Sequence, residues 1–196
     1  MKLYLVRHGE SEANRQNKLS LPTVELTENG RRDAENAGAL LRSVSFDRVF
    51  VSPYTRALQT QKIALPEVEG EVVDCLHECD CGRLEGMSYA EAETTYGEYF
   101  RQCCVVDDFK AFGGEDYANM RRRVREFMAL AVASNCETIA AFAHAGVILA
   151  FFDEVMQRDG KPGRHVHCDN GSVNIFEYHK ETNLWSLKAW NITGRI

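Results

Sequence analysis

Two apolar runs in this chain stop on an imidazole with a glycine close behind it: Leu3-Tyr4-Leu5-Val6-Arg7-His8-Gly9, and Thr138-Ile139-Ala140-Ala141-Phe142-Ala143-His144-Ala145-Gly146. A guanidinium beside an imidazole suits a phosphoryl group. Arginine grips phosphate oxygens with its planar fork, while histidine can attack phosphorus or exchange a proton. A second guanidinium, Arg56, follows Ser52-Pro53, which reads as an N-cap with proline at the first helical position. Arg56 then falls in a first helical turn, where free backbone N–H groups also favour an anion. Glu78, within Leu76-His77-Glu78, adds a carboxyl able to move protons. Taken singly, each of these residues reads equally as a satisfied polar group or a surface charge. Together, two arginines and two histidines carry too much positive charge for a dry pocket unless an anion sits among them.

These side chains meet only if the elements before them do. Residues 3–6, 48–51 and 138–143 are predicted as buried strands, with a shorter one at about 71–74. In an open α/β sheet, ligands bind just beyond the carboxyl ends of the strands. Arg7, His8, Arg56, Glu78 and His144 all fall at that edge. Helices are expected from the N-cap Thr27 to about Ser43, from Pro53, from the N-cap Asp116 to about Ser134, and from Val147 to Met156. Met120, Val124, Phe127, Met128 and Ala131 give the third of these its buried stripe, and the run from Arg121 to Arg125 reads as its solvated side, partnered by nearby acids. Residues 85–115, the least regular part, read as one or two short helices capping the sheet edge. Residues 172–178 and 184–189 read as an antiparallel hairpin closing the sheet. The alternation of strand-like and helix-like runs indicates α/β layers.

A chain of 196 residues is enough for one domain with a sizeable core, and 44% hydrophobic residues is ordinary for a globular protein. The formal net charge of −6 excludes a general nucleic-acid or membrane-surface binder, so an anion site must be a local basic pocket. No stretch is long and apolar enough to span a membrane, and Met1-Lys2 leads directly into a strand with no signal-peptide core, so a cytoplasmic location is the expectation. Seven cysteines, an odd number in that setting, are expected as free thiols. Cys75, Cys79 and Cys81 raise a metal reading, weakened by the lack of any Cys-x-x-Cys pair. His165-Val166-His167-Cys168 raises another, although its alternation also fits a strand entry with both imidazoles on one face.

Six motifs in order carry a resemblance that covers nearly the whole chain. They are Arg7-His8-Gly9-Glu10-Ser11-Glu12-Ala13-Asn14; Leu26-Thr27-Glu28-Asn29-Gly30; Ser52-Pro53-Tyr54-Thr55-Arg56-Ala57-Leu58-Gln59-Thr60; Leu76-His77-Glu78 with Gly82 and Leu84-Glu85-Gly86; Gly113-Gly114-Glu115; and His144-Ala145-Gly146. The sequence resembles the histidine phosphatase superfamily, in the branch that includes cofactor-dependent phosphoglycerate mutases and small-molecule phosphatases such as the α-ribazole phosphatases. The resemblance implies a single domain over residues 1–196, a three-layer α/β/α sandwich with a mostly parallel sheet, an antiparallel edge strand or hairpin, and residues 85–115 as a cap. It implies His8 as the nucleophile forming a phosphohistidine, and Arg7, Arg56 and His144 as binders of the phosphoryl oxygens. Asn14 would be a neutral donor, and Ala145 would contribute its backbone N–H. Glu78 would protonate the leaving alkoxide and then activate water, so it must carry a proton for the first task. No metal or other cofactor is required. The implied partner is a small phosphorylated metabolite, with no nucleic acid and no membrane, for a monomer or homodimer.

The chain departs from its relatives in places. The segment Leu19-Ser20-Leu21-Pro22-Thr23-Val24-Glu25 contains no glycine where many relatives have one. Ala145 stands where glycine is common, Asp116 where serine is, and Leu84 where tryptophan is. Glycolytic mutases of this branch are longer and carry paired arginines and prolines in the cap. Here Arg101 and Lys110 are the cations of residues 96–115, among Glu98, Asp107, Asp108 and Glu115. The expectation is therefore a phosphatase for a small monoester. A mutase is the alternative, and a non-catalytic phosphoprotein-binding module a more remote one, since both His8 and Glu78 are present.

Overall fold

A computed structural model describes residues 1–158, 162 and 166–194. In chain order the elements are β1 (Lys2–Arg7), α1 (Glu12–Arg15), α2 (Glu28–Leu41), β2 (Arg48–Val51), α3 (Thr55–Ala64), β3 (Glu71–Val72), α4 (Tyr89–Val106), α5 (Tyr117–Ala133), β4 (Thr138–Ala143), α6 (Ala145–Val155), β5 (Val173–His179) and β6 (Leu184–Ile192). Short 3₁₀ turns occupy Asp74–Leu76, Gly82–Leu84 and Lys110–Phe112.

The strands form one sheet in the order β3-β2-β4-β1-β5-β6. β3, β2, β4 and β1 run parallel, and the β5–β6 hairpin adds an antiparallel edge. Strand alternation sorts the side chains onto two faces. Leu3, Leu5, Ile139, Ala141 and Phe176 face α5 and α6, meeting Met120, Val124, Phe127, Ile148 and Phe151. Val6, Val49, Val51, Ala140 and Phe142 face α2 and α3, meeting Ala37, Leu41, Ala57 and Ala64. The result is the three-layer sandwich expected from the sequence. A third, separate cluster forms the core of the cap: Leu19, Cys81, Leu84, Ala92, Phe100, Cys103, Phe109 and Phe112. Leu19 and Cys81, from outside residues 85–115, pack into this cluster. Its main helix, α4, starts from a Ser88–Glu91 capping box and breaks at Gly97, where φ is 57° and the chain turns between two helical pieces.

Four sequence expectations are corrected. Ser52 does not cap α3; the helix starts at Thr55 with Tyr54 at the N-cap, and the Ser52 hydroxyl lies against His144 Nε2 at 2.7 Å while accepting from Tyr54 N–H at 3.3 Å. β3 is two residues long and gives way to the 3₁₀ turn at Asp74. Arg123 is buried, not solvated, although Arg121 and Arg125 do pair with Glu154 and Arg122 with Glu126. Val166, His167 and Cys168 do not enter a strand, and His165 lies outside the described residues. Among the described residues no helix is long and apolar enough to cross a membrane, and no three His, Cys, Asp or Glu side chains converge as a metal cage would need.

The loop after β1 is pressed onto the start of α2 without room for a side chain. A Cβ on Gly9 would lie 2.0 Å from the Gly30 carbonyl oxygen, and one on Gly30 would lie 1.9 Å from that of Glu10. Both obstacles are backbone, so neither can rotate away. Gly30→Ala should therefore cost more than about 2 kcal/mol of stability, read as a lowered denaturation midpoint. A variant with an unchanged midpoint would show that the two loops are not in contact.

Candidate active site

The parallel register sets the site. Arg7 pairs with Ala143 across β1 and β4, so the next residue on each strand, His8 and His144, leaves the sheet at the same level. Their rings lie edge to face with centroids 5.1 Å apart. Val51 pairs with Phe142 on the other side of β4, which brings Ser52 beside His144, where its Oγ lies 2.7 Å from His144 Nε2.

Every backbone group of the His8 loop is tied down. The His8 N–H donates to the Ala143 carbonyl at 3.0 Å, and the His8 carbonyl accepts from Gly171 N–H and from Asn170 Nδ2, each at 3.1 Å. Gly9 N–H donates to Thr60 Oγ1 at 3.1 Å and Glu10 N–H to Asp33 Oδ2 at 3.0 Å. The ring itself is oriented by two contacts. Nδ1 lies 2.7 Å from the Gly9 carbonyl oxygen, which can only accept, so Nδ1 carries the proton. Nε2 is then an acceptor, and Arg56 Nε donates to it at 3.1 Å. Burial first, and then the charges of Arg56 and Arg7, hold the His8 imidazole well below its ordinary value of 6.5, against the pull of the Gly9 carbonyl. Burial, Arg56 and His8 do the same to His144. The ring available to an electrophile is thus a neutral imidazole with its lone pair on Nε2.

Positive charge surrounds that lone pair. Arg56 is 1% exposed. Its Nη1 donates to the Leu21 carbonyl at 3.1 Å, and its guanidinium lies 5.0 Å over the Tyr54 ring. Burial lowers it to about 10, partly countered by Glu78, which leaves it charged at neutral pH. Arg7 donates through Nη1 to the Cys168 carbonyl, while its Nε is buried with no hydrogen-bond partner among the described residues, as is His144 Nδ1. Among the described residues no carboxylate lies within ion-pair distance of either arginine. Asn14 has its side-chain oxygen taken by Ser11 N–H, Ser11 Oγ and Asn170 Nδ2, which turns its NH₂ into the group left to face a ligand.

Arg7, His8, Asn14, Arg56, Glu78 and Ala145 line one cavity of about 270 Å³. His144 lies fully buried beside His8, behind that lining. Glu78 enters on a stretch with no regular structure. Its Oε1 accepts from Cys79 N–H at 2.9 Å and its Oε2 from Gly146 N–H at 3.3 Å. Gly146 has to lack a side chain, since a Cβ there would sit 2.5 Å from Glu78 Oε1. The predicted residues thus come together at one sheet edge. Sequence reasoning missed Ser52 as the partner of His144, Thr60 and Asp33 as props of the loop, and Asn170 as a tie between His8 and Asn14. Thr60 carried a signal: it stands one helical turn after Arg56, and it donates to the Arg56 carbonyl at 2.7 Å. Asn170 carried none, since it lies 162 residues from its partner.

A neutral imidazole, a carboxyl across the cavity and, among the described residues, converging guanidiniums without counter-ions and two buried polar atoms without partners fit a tetrahedral oxyanion with a leaving oxygen. Comparison with known proteins agrees with that chemistry. The chain is 33% identical over 181 residues to the adenosylcobalamin/α-ribazole phosphatase of Salmonella typhimurium, covering 87% of each chain. It is 29% identical over 201 residues to a 2,3-bisphosphoglycerate-dependent phosphoglycerate mutase of Cytophaga hutchinsonii, covering 94% of this chain and 91% of that one. The α-ribazole phosphatase of Shigella flexneri superposes with a TM-score of 0.86 at 25% identity, over 98% of this chain and 96% of the other. Residues 3–193 match the family description as a whole, and the chain belongs to the histidine phosphatase superfamily, branch 1.

Proposed function

We propose that the protein is a phosphomonoesterase that hydrolyses a small phosphorylated metabolite through a phosphohistidine on His8. His8 Nε2 attacks phosphorus while Arg7, Arg56, His144 and the Asn14 amide take the charge spread over the non-bridging oxygens. Glu78 gives its proton to the departing oxygen. The same carboxylate then takes a proton from water as that water attacks the phosphohistidine, releasing phosphate and restoring neutral His8. The observation that carries this reading is the neutral His8, its Nδ1–H fixed by Gly9 and its Nε2 met by an arginine with no carboxylate partner among the described residues. Charge stabilisation comes from the arginines, so the mechanism needs no metal.

Hydrolysis is favoured over mutase-type transfer by the charge around the rest of the cavity. A bisphosphorylated substrate needs a second cationic subsite. Arg101 is held by Glu93 and Glu98, and Lys110 by Asp116, and neither lines the cavity. Among the described residues the walls beyond the phosphate end are mainly Leu19, Tyr89, Cys104, Phe109 and Leu149, with Lys18 the cation and Asp107 an acid there.

With p-nitrophenyl phosphate in the presence of EDTA, the protein should turn over and His8→Ala should bring the rate to background. Activity retained in that variant would remove the phosphohistidine. Glu78→Gln should slow phenyl phosphate by about 10²-fold and p-nitrophenyl phosphate far less, since nitrophenolate leaves without a proton. Interconversion of 3- and 2-phosphoglycerate at a rate rivalling hydrolysis would favour the mutase.

The buried imidazoles also make stability depend on pH. The unfolded chain takes up protons near 6.5 that the folded His8 and His144 refuse, so stability is fully present above that value and falls as the pH drops below it. The expected slope is about 1.4 kcal/mol per pH unit for each ring. Imidazole resonances of His8 and His144 should stay unshifted between pH ~8 and ~6, and a midpoint near 6.5 for His8 would contradict its neutral, desolvated state.

A further inference from the structure

Resting on the reading of Glu78 as the proton donor, we infer that Arg123 and Glu115 are positioning residues that hold the Glu78 carboxyl in place and tie it to the wall of the leaving-group site. Residues 77–81 have no helix or strand to fix them. The Glu78 carboxylate is gripped by two backbone N–H groups, one from its own neighbour Cys79 and one from Gly146. Its aim therefore depends on where the backbone at 77–79 lies.

Arg123 fixes that backbone from beneath. Its Nη1 donates to the carbonyls of Cys75 at 3.1 Å and His77 at 2.6 Å, and its Nη2 to the carbonyl of Glu78 itself at 3.3 Å. Its remaining donors go to Glu115: Nε to Oε2 at 3.1 Å, and Nη2 to Oε1. Arg123 is 5% exposed, so these are desolvated contacts that a lysine, with a single ammonium, could not reproduce together.

Glu115 extends the brace in two directions. It pairs with Asp80 through both backbone and side chain, its N–H donating to the Asp80 carbonyl at 2.9 Å and its Oε1 accepting from Asp80 N–H at 3.2 Å. Its carbonyl accepts from Phe109 N–H at 2.8 Å. Phe109 belongs to the cap core and lines the cavity. The Arg123–Glu115 ion pair thus joins helix α5 to the acid's loop, and the Glu115 backbone carries the tie on to Phe109 in the cap wall. A side chain that only filled space under the loop would not need to reach the carbonyls of the acid and of the residue before it.

The test is a leaving-group series of aryl phosphates on Arg123→Lys and Glu115→Gln, with Glu78→Gln as reference. If the pair aims the acid, both variants lose about tenfold or more in kcat/KM on phenyl phosphate but less than about threefold on p-nitrophenyl phosphate, a weaker copy of the Glu78→Gln pattern. Equal losses on both esters, or no loss, in variants that still melt cooperatively would overturn the inference while leaving Glu78 as the acid. Should Arg123→Lys fail to fold, Glu115→Gln, which keeps shape and acceptor, decides the matter alone. If Glu78→Gln itself shows no leaving-group dependence, the acid role falls and the inference falls with it.

Discussion

An imidazole kept uncharged beside a buried guanidinium is the condition on which the rest of this structure depends. Arg56 donates to His8 Nε2 from a nearly solvent-free position, and a protonated His8 could not accept that hydrogen bond. The arrangement is unfavourable by itself, because a charge taken out of water without a partner is costly. The surroundings supply what compensation they can: the Leu21 carbonyl, the face of Tyr54 and the more distant Glu78. Among the described residues no carboxylate is in contact, and an anionic ligand is the group that would complete the shell. The loop carrying His8 is correspondingly over-determined. Ala143, Asn170, Gly171, Thr60 and Asp33 each hold one of its backbone groups, so the ring cannot swing away from the guanidinium.

Much of this was legible in the chain because it is written in local patterns. Two apolar runs ending in histidine gave two strands, and their parallel register follows from burying both faces of the sheet. The N-caps Thr27 and Asp116 were read correctly because their side chains satisfy their own helices, with Gly30 and Asn119 as partners. The failures have a common cause. Ser52-Pro53 has the local form of a helix start, yet the hydroxyl is drawn to His144, 92 residues away, and the helix waits until Thr55. Arg123 sat in a run of arginines that resembles a solvated face. It is also three residues after Met120 and four before Phe127, on the buried stripe, and that periodicity was the signal to weigh above the charge run. Distant hydrogen bonds leave no mark in a short window, and so Asn170 and the Cys168 carbonyl could not be foreseen.

The division of the molecule explains why phosphate chemistry is easier to read here than substrate choice. His8 and His144 follow β1 and β4 at the centre of the sheet, and Arg56 stands in α3, packed against that sheet. The far wall comes from the cap, which has its own apolar core and meets the body through Leu19, Cys81 and the stretch up to Glu115. The glycine-free segment after α1 belongs to both. Leu19 is buried in the cap, its N–H and carbonyl pair with Met87 and Gly86, and two residues later the Leu21 carbonyl holds Arg56. A change of sequence in that segment therefore acts on the cap wall of the cavity through packing and on Arg56 through one backbone carbonyl. The carbonyl is available from any residue type, provided the backbone keeps its course. The segment can consequently diverge in side chains, and reshape the cap side of the cavity, while the Arg56 guanidinium keeps the same hydrogen bond.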